Sequence, residues 1–189
     1  MHAETKPHAR GFTLVELMVV VMIVGVLAVL AVYGVRKYVA NAKSAEARNA
    51  LGVIAKLGAA AVEHPPPQTT FATAGVVSGL LRRFCASSSL VPASKATISG
   101  HKYQSATTDW TTGDANTGWK CLAFSMAEPQ YYAYSYQASS TNGYSGGFTA
   151  FAYGDLNGDG RFSTISVTGS AFSGAIAISP NIQETNPEE

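Results

Sequence analysis

From Phe12 to Val35 the chain runs for 24 residues with a single charged side chain, Glu16. As a helix at about 1.5 Å per residue, that run reaches roughly 36 Å, enough to cross a hydrocarbon core of about 30 Å. An ionised carboxylate in such a segment is costly and is kept only where a partner compensates it. The run therefore demands a neutralising group for Glu16. Ahead of it, MHAETKPHARG sets Lys6 and Arg10 against Glu4. Positive charge stays on the cytoplasmic side, so the segment is expected to enter the membrane with its N-terminus in the cytoplasm. A secretory signal would place small residues and a cleavage site after the apolar stretch. Here Arg36-Lys37-Tyr38-Val39 follows directly, so the apolar run is expected to stay in the mature chain.

The string Gly11-Phe-Thr-Leu-Val-Glu16-Leu, behind a short basic leader and at the head of a long apolar segment, resembles the class III signal of type IV pilins and the related pseudopilins. The resemblance covers Met1 to about Glu63 and is much weaker beyond. It implies that a membrane aspartyl peptidase, prepilin peptidase, cuts after Gly11 and methylates the new amine of Phe12. It also supplies the missing partner, because the Glu16 carboxylate of one subunit can meet the Phe12 amine of a neighbour in a filament. At the low effective dielectric of packed helices that attraction is substantial, and loss of either group strands the other. A plain single-span anchor, with Glu16 snorkelling to the interface, explains neither Gly11-Phe12 nor the short leader. Many pilins carry a proline further along the segment, where this chain has Tyr33-Gly34. Gly25 and Gly34 could loosen the helix or allow close helix packing.

Cleavage would remove Lys6 and Arg10 together with Glu4, leaving acidic and basic side chains in balance. No basic excess points to nucleic acid. Cys85 and Cys121 both follow the membrane segment and would lie outside the cytoplasm. A disulfide between them is the default there and would stabilise the domain by roughly 3–4 kcal/mol. Two reduced, buried cysteines are the other reading.

The helix is expected to continue beyond the membrane. The stretch 36–63 has no proline and much alanine, a composition of high helix propensity. Ala47, Leu51, Ile54, Gly58 and Ala61 recur on one face, with Lys43, Glu46, Asn49 and Lys56 largely off it. Pro65-Pro66-Pro67 ends the helix. A helix from Phe12 to His64 would span roughly 80 Å. A loop with a short helix near Val76 to Phe84 comes next. Expected strands are Ala96–Tyr103, Lys120–Met126, Tyr131–Gln137, Phe148–Tyr153, Ser163–Val167 and Ala175–Ile178.

Asp155, Asn157 and Asp159, followed by Gly160, set oxygen groups at alternate positions as in the first half of a calcium loop. Ser166 stands where the bidentate Glu of such a loop would be. The simpler reading is a β-hairpin turn, since Asn157-Gly158 and Asp159-Gly160 are strong turn pairs. Tyr131, Tyr132, Tyr134 and Tyr136 read as sheet packing, with a binding surface as the rival. No nucleophile, base and oxyanion donor come together in any known motif, so the chain is not expected to be an enzyme.

The expected fold is α+β: a long N-terminal helix, membrane-spanning in its first half, packed against an antiparallel sheet as in type IV pilins. Its segments are a leader over 1–11, a membrane or filament-core helix over 12–35, the helix's amphipathic second half over 36–64, and a β-rich head over 65–189. The resemblance implies a structural prepilin in the inner membrane that prepilin peptidase processes and assembly machinery builds into a filament through self-association. The alternatives are a pseudopilin of a type II secretion system, or a minor pilin or membrane-anchored adhesive module.

Overall fold

The computed structural model describes residues 11–64 and 82–187. It divides into two units, Met1–Val39 and Ala40–Glu189. The first helix, α1 (Leu14–Glu63), provides the regular structure of the first unit and opens the second. In the first unit the described residues are apolar or small apart from Thr13, Glu16, Arg36 and Lys37, and all of them are exposed. This is the one described helix long and apolar enough to cross a membrane.

Within the second unit, α1 buries one face. Ser44, Ala47, Ala50, Leu51, Ile54, Ala55, Gly58 and Val62 are buried, at the three- and four-residue steps of a helical stripe. Ala61 packs at its margin. Asn49 and Lys56 are exposed as expected, whereas Lys43 and Glu46 are half-buried. Tyr131 accounts for both. Its ring lies 4.4 Å from the Lys43 ammonium, and its backbone N–H donates to Glu46 Oε1 at 3.2 Å.

The stripe packs on a five-stranded antiparallel sheet: β1 (Tyr132–Ser140), β2 (Gly147–Gly154), β3 (Ser163–Phe172), β4 (Ala175–Ile178) and β5 (Gln183–Thr185). The strands run in the order β1-β2-β3-β4, and β5 pairs with β3 beside Thr164 to Ser166. The α+β architecture is therefore that expected from the sequence. Strand β5 is polar and exposed, so no alternation betrays it. It is tied to α1 by Arg48, which donates to Glu184 through Nε at 2.6 Å and Nη2 at 3.1 Å.

Large and small residues alternate across the helix-facing side of the sheet. Tyr132, Tyr134 and Tyr136 stand opposite Gly154, Ala152 and Ala150, and Phe148 stands opposite Gly169. The Tyr132 ring lies over Gly154 and the Phe148 ring over Gly169, so neither glycine leaves room for a side chain. Tyr136 and Phe148 stack with centroids 5.0 Å apart. These three tyrosines are fully buried, so they are core and no binding surface can be built from them.

Two segments expected as strands are otherwise. Ala96–Tyr103 begins within a 3-10 turn, Lys95–Ile98, capped by Ser94 Oγ accepting from Ala96 N–H. Lys120–Met126 begins inside a short helix, α2 (Gly118–Leu122). Their apolar residues plug the core singly, as Ile98, Leu122 and Phe124 are all buried. No pleat forms, and only Tyr103 makes a bridge, to Gln130. Of the short helix expected over 76–84, residues 76–81 lie outside the described residues, as do Pro65 to Pro67, and 82–84 are not helical.

The two margins of the sheet differ. Along β1, Val91 and Tyr134 exchange backbone hydrogen bonds, and Ser88 N–H donates to Tyr136 O. Ser88 Oγ and Ser87 Oγ accept from the N–H groups of Tyr136 and Ala138. That edge is sealed by the chain's own segment 87–91. The β4 margin has no such cover among the described residues.

Gly58 fixes how closely α1 approaches the sheet. A Cβ there would lie 3.1 Å from the Tyr136 ring and 3.2 Å from that of Phe148. Gly58→Ala gains about 1 kcal/mol of helix propensity against this tight contact, so its stability should stay within about 1 kcal/mol of the parent. Gly58→Leu should lose about 3 kcal/mol or more by overpacking. Thermal melting of the full chain in detergent, followed by circular dichroism, measures both.

Candidate functional site

Gly11, Phe12 and Thr13 precede the helix, and Phe12 is 85% exposed. The Gly11–Phe12 bond therefore lies in non-helical, accessible chain, as a peptidase requires. At the first turn, Thr13 and Glu16 bond reciprocally. Glu16 Oε2 accepts from the Thr13 N–H at 2.9 Å and from the Thr13 hydroxyl at 2.9 Å. Thr13 Oγ1 in turn accepts from the Glu16 N–H at 3.2 Å. This is a capping box: the N-cap threonine and the N3 glutamate satisfy two N–H groups that the helix itself leaves unpaired. A carboxylate there also faces the positive end of the helix dipole. The Thr-x-x-Glu spacing was available in the sequence as a helix start signal. Reading Glu16 only as a charge in search of a counter-ion overlooks it.

From Leu14 to Tyr38 the large apolar side chains are all exposed. At about 25 cal/mol per Å² of apolar surface, such a helix is stable only where lipid or other apolar helices surround it.

In the second unit, Cys85 and Cys121 form a disulfide with Cα atoms 5.8 Å apart. Cys85 is fully buried, and Cys121 sits in α2 beside Trp119. The ring of Trp119 meets that of Trp110 edge-on at 4.9 Å, and Phe124 packs against both. The indole N–H groups donate to Ser105 Oγ and Ser89 O, each at 2.9 Å. The bridge thus staples an aromatic lobe whose polar atoms are satisfied.

Asp155, Asn157 and Asp159 lie in the connection between β2 and β3. Asp155 is fully buried. Its Oδ1 accepts from Gly158 N–H at 2.7 Å, and its Oδ2 from Gly160 N–H at 3.0 Å and from the Ser99 hydroxyl. Asn157 Oδ1 accepts from Asp159 N–H at 2.9 Å, and Asp159 Oδ1 from Arg161 N–H at 2.8 Å. The Asp155 carbonyl accepts from Gly100 N–H at 2.8 Å, joining this loop to the turn at 99–101. Gly158 and Gly160 both have positive φ, the conformation that lets their N–H groups turn inward.

Residues 6–32 match the prokaryotic N-terminal methylation motif. No curated protein and no solved structure matches the chain. The matched residues carry the class III signal of type IV pilins and pseudopilins. The motif supports a type IV pilin-like or pseudopilin subunit, a structural rather than an enzymatic class. It implies processing by prepilin peptidase and assembly into a pilus or secretion-system filament, and with the apolar helix it points to membrane anchoring before assembly.

Burial pushes the Asp155 carboxyl up, but the hydrogen bonds from Ser99, Gly160, Gly158 and Asp159 together outweigh it and hold it below its ordinary value. A lowered folded-state value stabilises the fold above the unfolded carboxyl's pKa of about 3.9, and that contribution disappears as pH falls through the folded value. Asp155→Asn, which turns one acceptor into a donor facing N–H groups, should cost about 2–3 kcal/mol at neutral pH. The gap in melting temperature between parent and variant should close as pH falls below about 4. A gap that stays constant down to acid pH would contradict the charge-based account.

Proposed function

We propose that this chain is a structural subunit of a type IV pilus, major or minor. Prepilin peptidase cuts it between Gly11 and Phe12 and methylates Phe12. The subunit waits in the inner membrane with its N-terminus cytoplasmic, and assembly machinery then draws it into an extracellular helical filament. The observation that carries this reading is the exposed apolar helix whose first turn presents Glu16 next to Phe12. Such a surface suits the core of a polymer, and Glu16 there gives register more than affinity. The pilus is favoured over a type II secretion pseudopilus by the size of the head, in which all five strands follow the second cysteine.

Mass spectrometry of the mature chain should find an N-methylated Phe12 as the first residue. Glu16→Ala removes both the cap and the charge, whereas Glu16→Gln preserves a capping box and removes the charge alone. Both should abolish filaments in sheared surface fractions if the inter-subunit pair is the role of Glu16. Filaments from Glu16→Gln alone would assign Glu16 to the cap. Loss of exoprotein secretion without external filaments on deletion would instead support the pseudopilin.

For the Asp155 loop, we propose a turn closed by its own N–H groups, with no requirement for calcium. The melting temperature of the full chain should then be the same in millimolar calcium and in chelator. A clear rise with calcium would mark Asp155, Asn157 and Asp159 as a weak site of the extracellular type.

A further inference from the structure

Asn157-Gly158 and Asp159-Gly160 follow one another in the connection between β2 and β3. Both pairs are prone to one reaction. The glycine's amide nitrogen, freed of its proton, attacks Cγ of the preceding side chain and closes a cyclic imide. Ammonia leaves from the asparagine, or water from the aspartic acid, taking up that proton by way of solvent. Water then reopens the ring to aspartate or isoaspartate. Glycine favours the step because no side chain crowds the attacking nitrogen. We propose that Asn157 and Asp159 are latent modification sites of this kind, kept closed by the buried carboxylate of Asp155.

Both attacking nitrogens are bound to that one side chain. Gly158 N–H donates to Asp155 Oδ1 at 2.7 Å and Gly160 N–H to Oδ2 at 3.0 Å. A nitrogen that lost its proton there would aim its lone pair along the same bond, at a carboxylate oxygen of like charge. Although burial pushes the Asp155 carboxyl up, the hydrogen bonds it accepts hold it below its ordinary value. It is therefore ionised at neutral pH and a weak base, so it holds these protons and does not remove them. Hydrogen bonds to an ionised group are also the stronger kind. The carbons to be attacked are pinned as well. Asn157 Oδ1 accepts from Asp159 N–H at 2.9 Å, and its Nδ2 donates to Asp159 Oδ2 at 3.3 Å. Asp159 Oδ1 accepts from Arg161 N–H at 2.8 Å. Each side chain thus reaches one residue past the nitrogen it would react with. All four residues from Asn157 to Gly160 are exposed, so water reaches them and hydrogen bonding is what protects them.

The other Asn-Gly pair, Asn142-Gly143, is closed in a different way. Gly143 is buried, and its N–H donates to the Arg82 carbonyl at 3.0 Å. A backbone group shields that pair, whereas a single side chain shields the two pairs after Asp155. Isoaspartate carries an extra methylene into the main chain, and at Asn157 it also adds a negative charge beside Asp155 and Asp159. One such event undoes the turn that prevented it.

The full chain in detergent and a synthetic peptide of residues 153–163 can be held side by side in mildly alkaline buffer. Mass spectrometry of proteolytic fragments follows deamidation, and enzymatic methylation follows isoaspartate. Asn157 should deamidate roughly ten-fold or more slowly in the full chain than in the peptide. Asp155→Ala should raise the rates at Asn157 and Asp159 roughly five-fold or more, while Asn142 keeps its parental rate. The ratio of Asn157 to Asn142 within one molecule cancels global unfolding, which raises both. A ratio that Asp155→Ala leaves unchanged overturns the inference. So does a parental Asn157 that reacts at the peptide's rate, a comparison that needs no variant to fold.

Discussion

One helix has to satisfy two environments, and the rest of the structure follows from how it does so. From Leu17 to Val35, α1 is apolar on all sides, and every described residue up to Val39 is exposed. From Ala40 it keeps a single buried stripe. In water the first half has no stable state of its own, because no polar face exists to turn outward. In the second half small residues set the geometry: Ala47, Ala50, Ala55 and Gly58 let the helix axis come close to the sheet, and the bulky rings come from the strands. Leu51 and Ile54 fill the space between those small residues, and the sheet sets its rings opposite glycine and alanine, the interdigitation that dense packing requires.

Much of this was legible in the sequence because it rests on periodicity. The helix face at Ala47, Leu51, Ile54 and Gly58 and the alternation in Tyr132–Tyr136 report the core directly, whereas in Phe148–Tyr153 the core side is Phe148, Ala150 and Ala152, and Phe151 and Tyr153 stay half-exposed on the other face. The failures have a common cause. Around Ile98 and Trp119 the apolar residues plug the core one at a time from turns, and short apolar runs cannot distinguish a turn from a strand. Strand β5 is recruited by pairing and by the Arg48–Glu184 contact, neither of which leaves a hydrophobic pattern.

The N-terminal site shows a different kind of gap. Glu16 is conspicuous as a charge in an apolar run, and its spacing from Thr13 also makes local hydrogen bonds possible. In the subunit by itself the carboxylate is not bare, since two donors from Thr13 already meet one of its oxygens. The same contrast holds at Asp155, where an apparent ligand set is also a closed system of backbone donors. In both places residue type announces chemistry, and the geometry first accounts for folding.

The disulfide has a consequence for the order of events in the chain. Cys85 and Cys121 both precede Tyr132, where the first strand begins. The loop they close contains no strand residue, and its aromatic rings Trp110 and Trp119 pack on one another and on Phe124, with Trp110 also reaching Tyr134 of β1. As the polypeptide is made from its N-terminus, helix, staple and sheet become available in that sequence. The last element to arrive, β5, is the one whose side chains bury least. A subunit interrupted before its final residues would already hold its cross-link and most of its core.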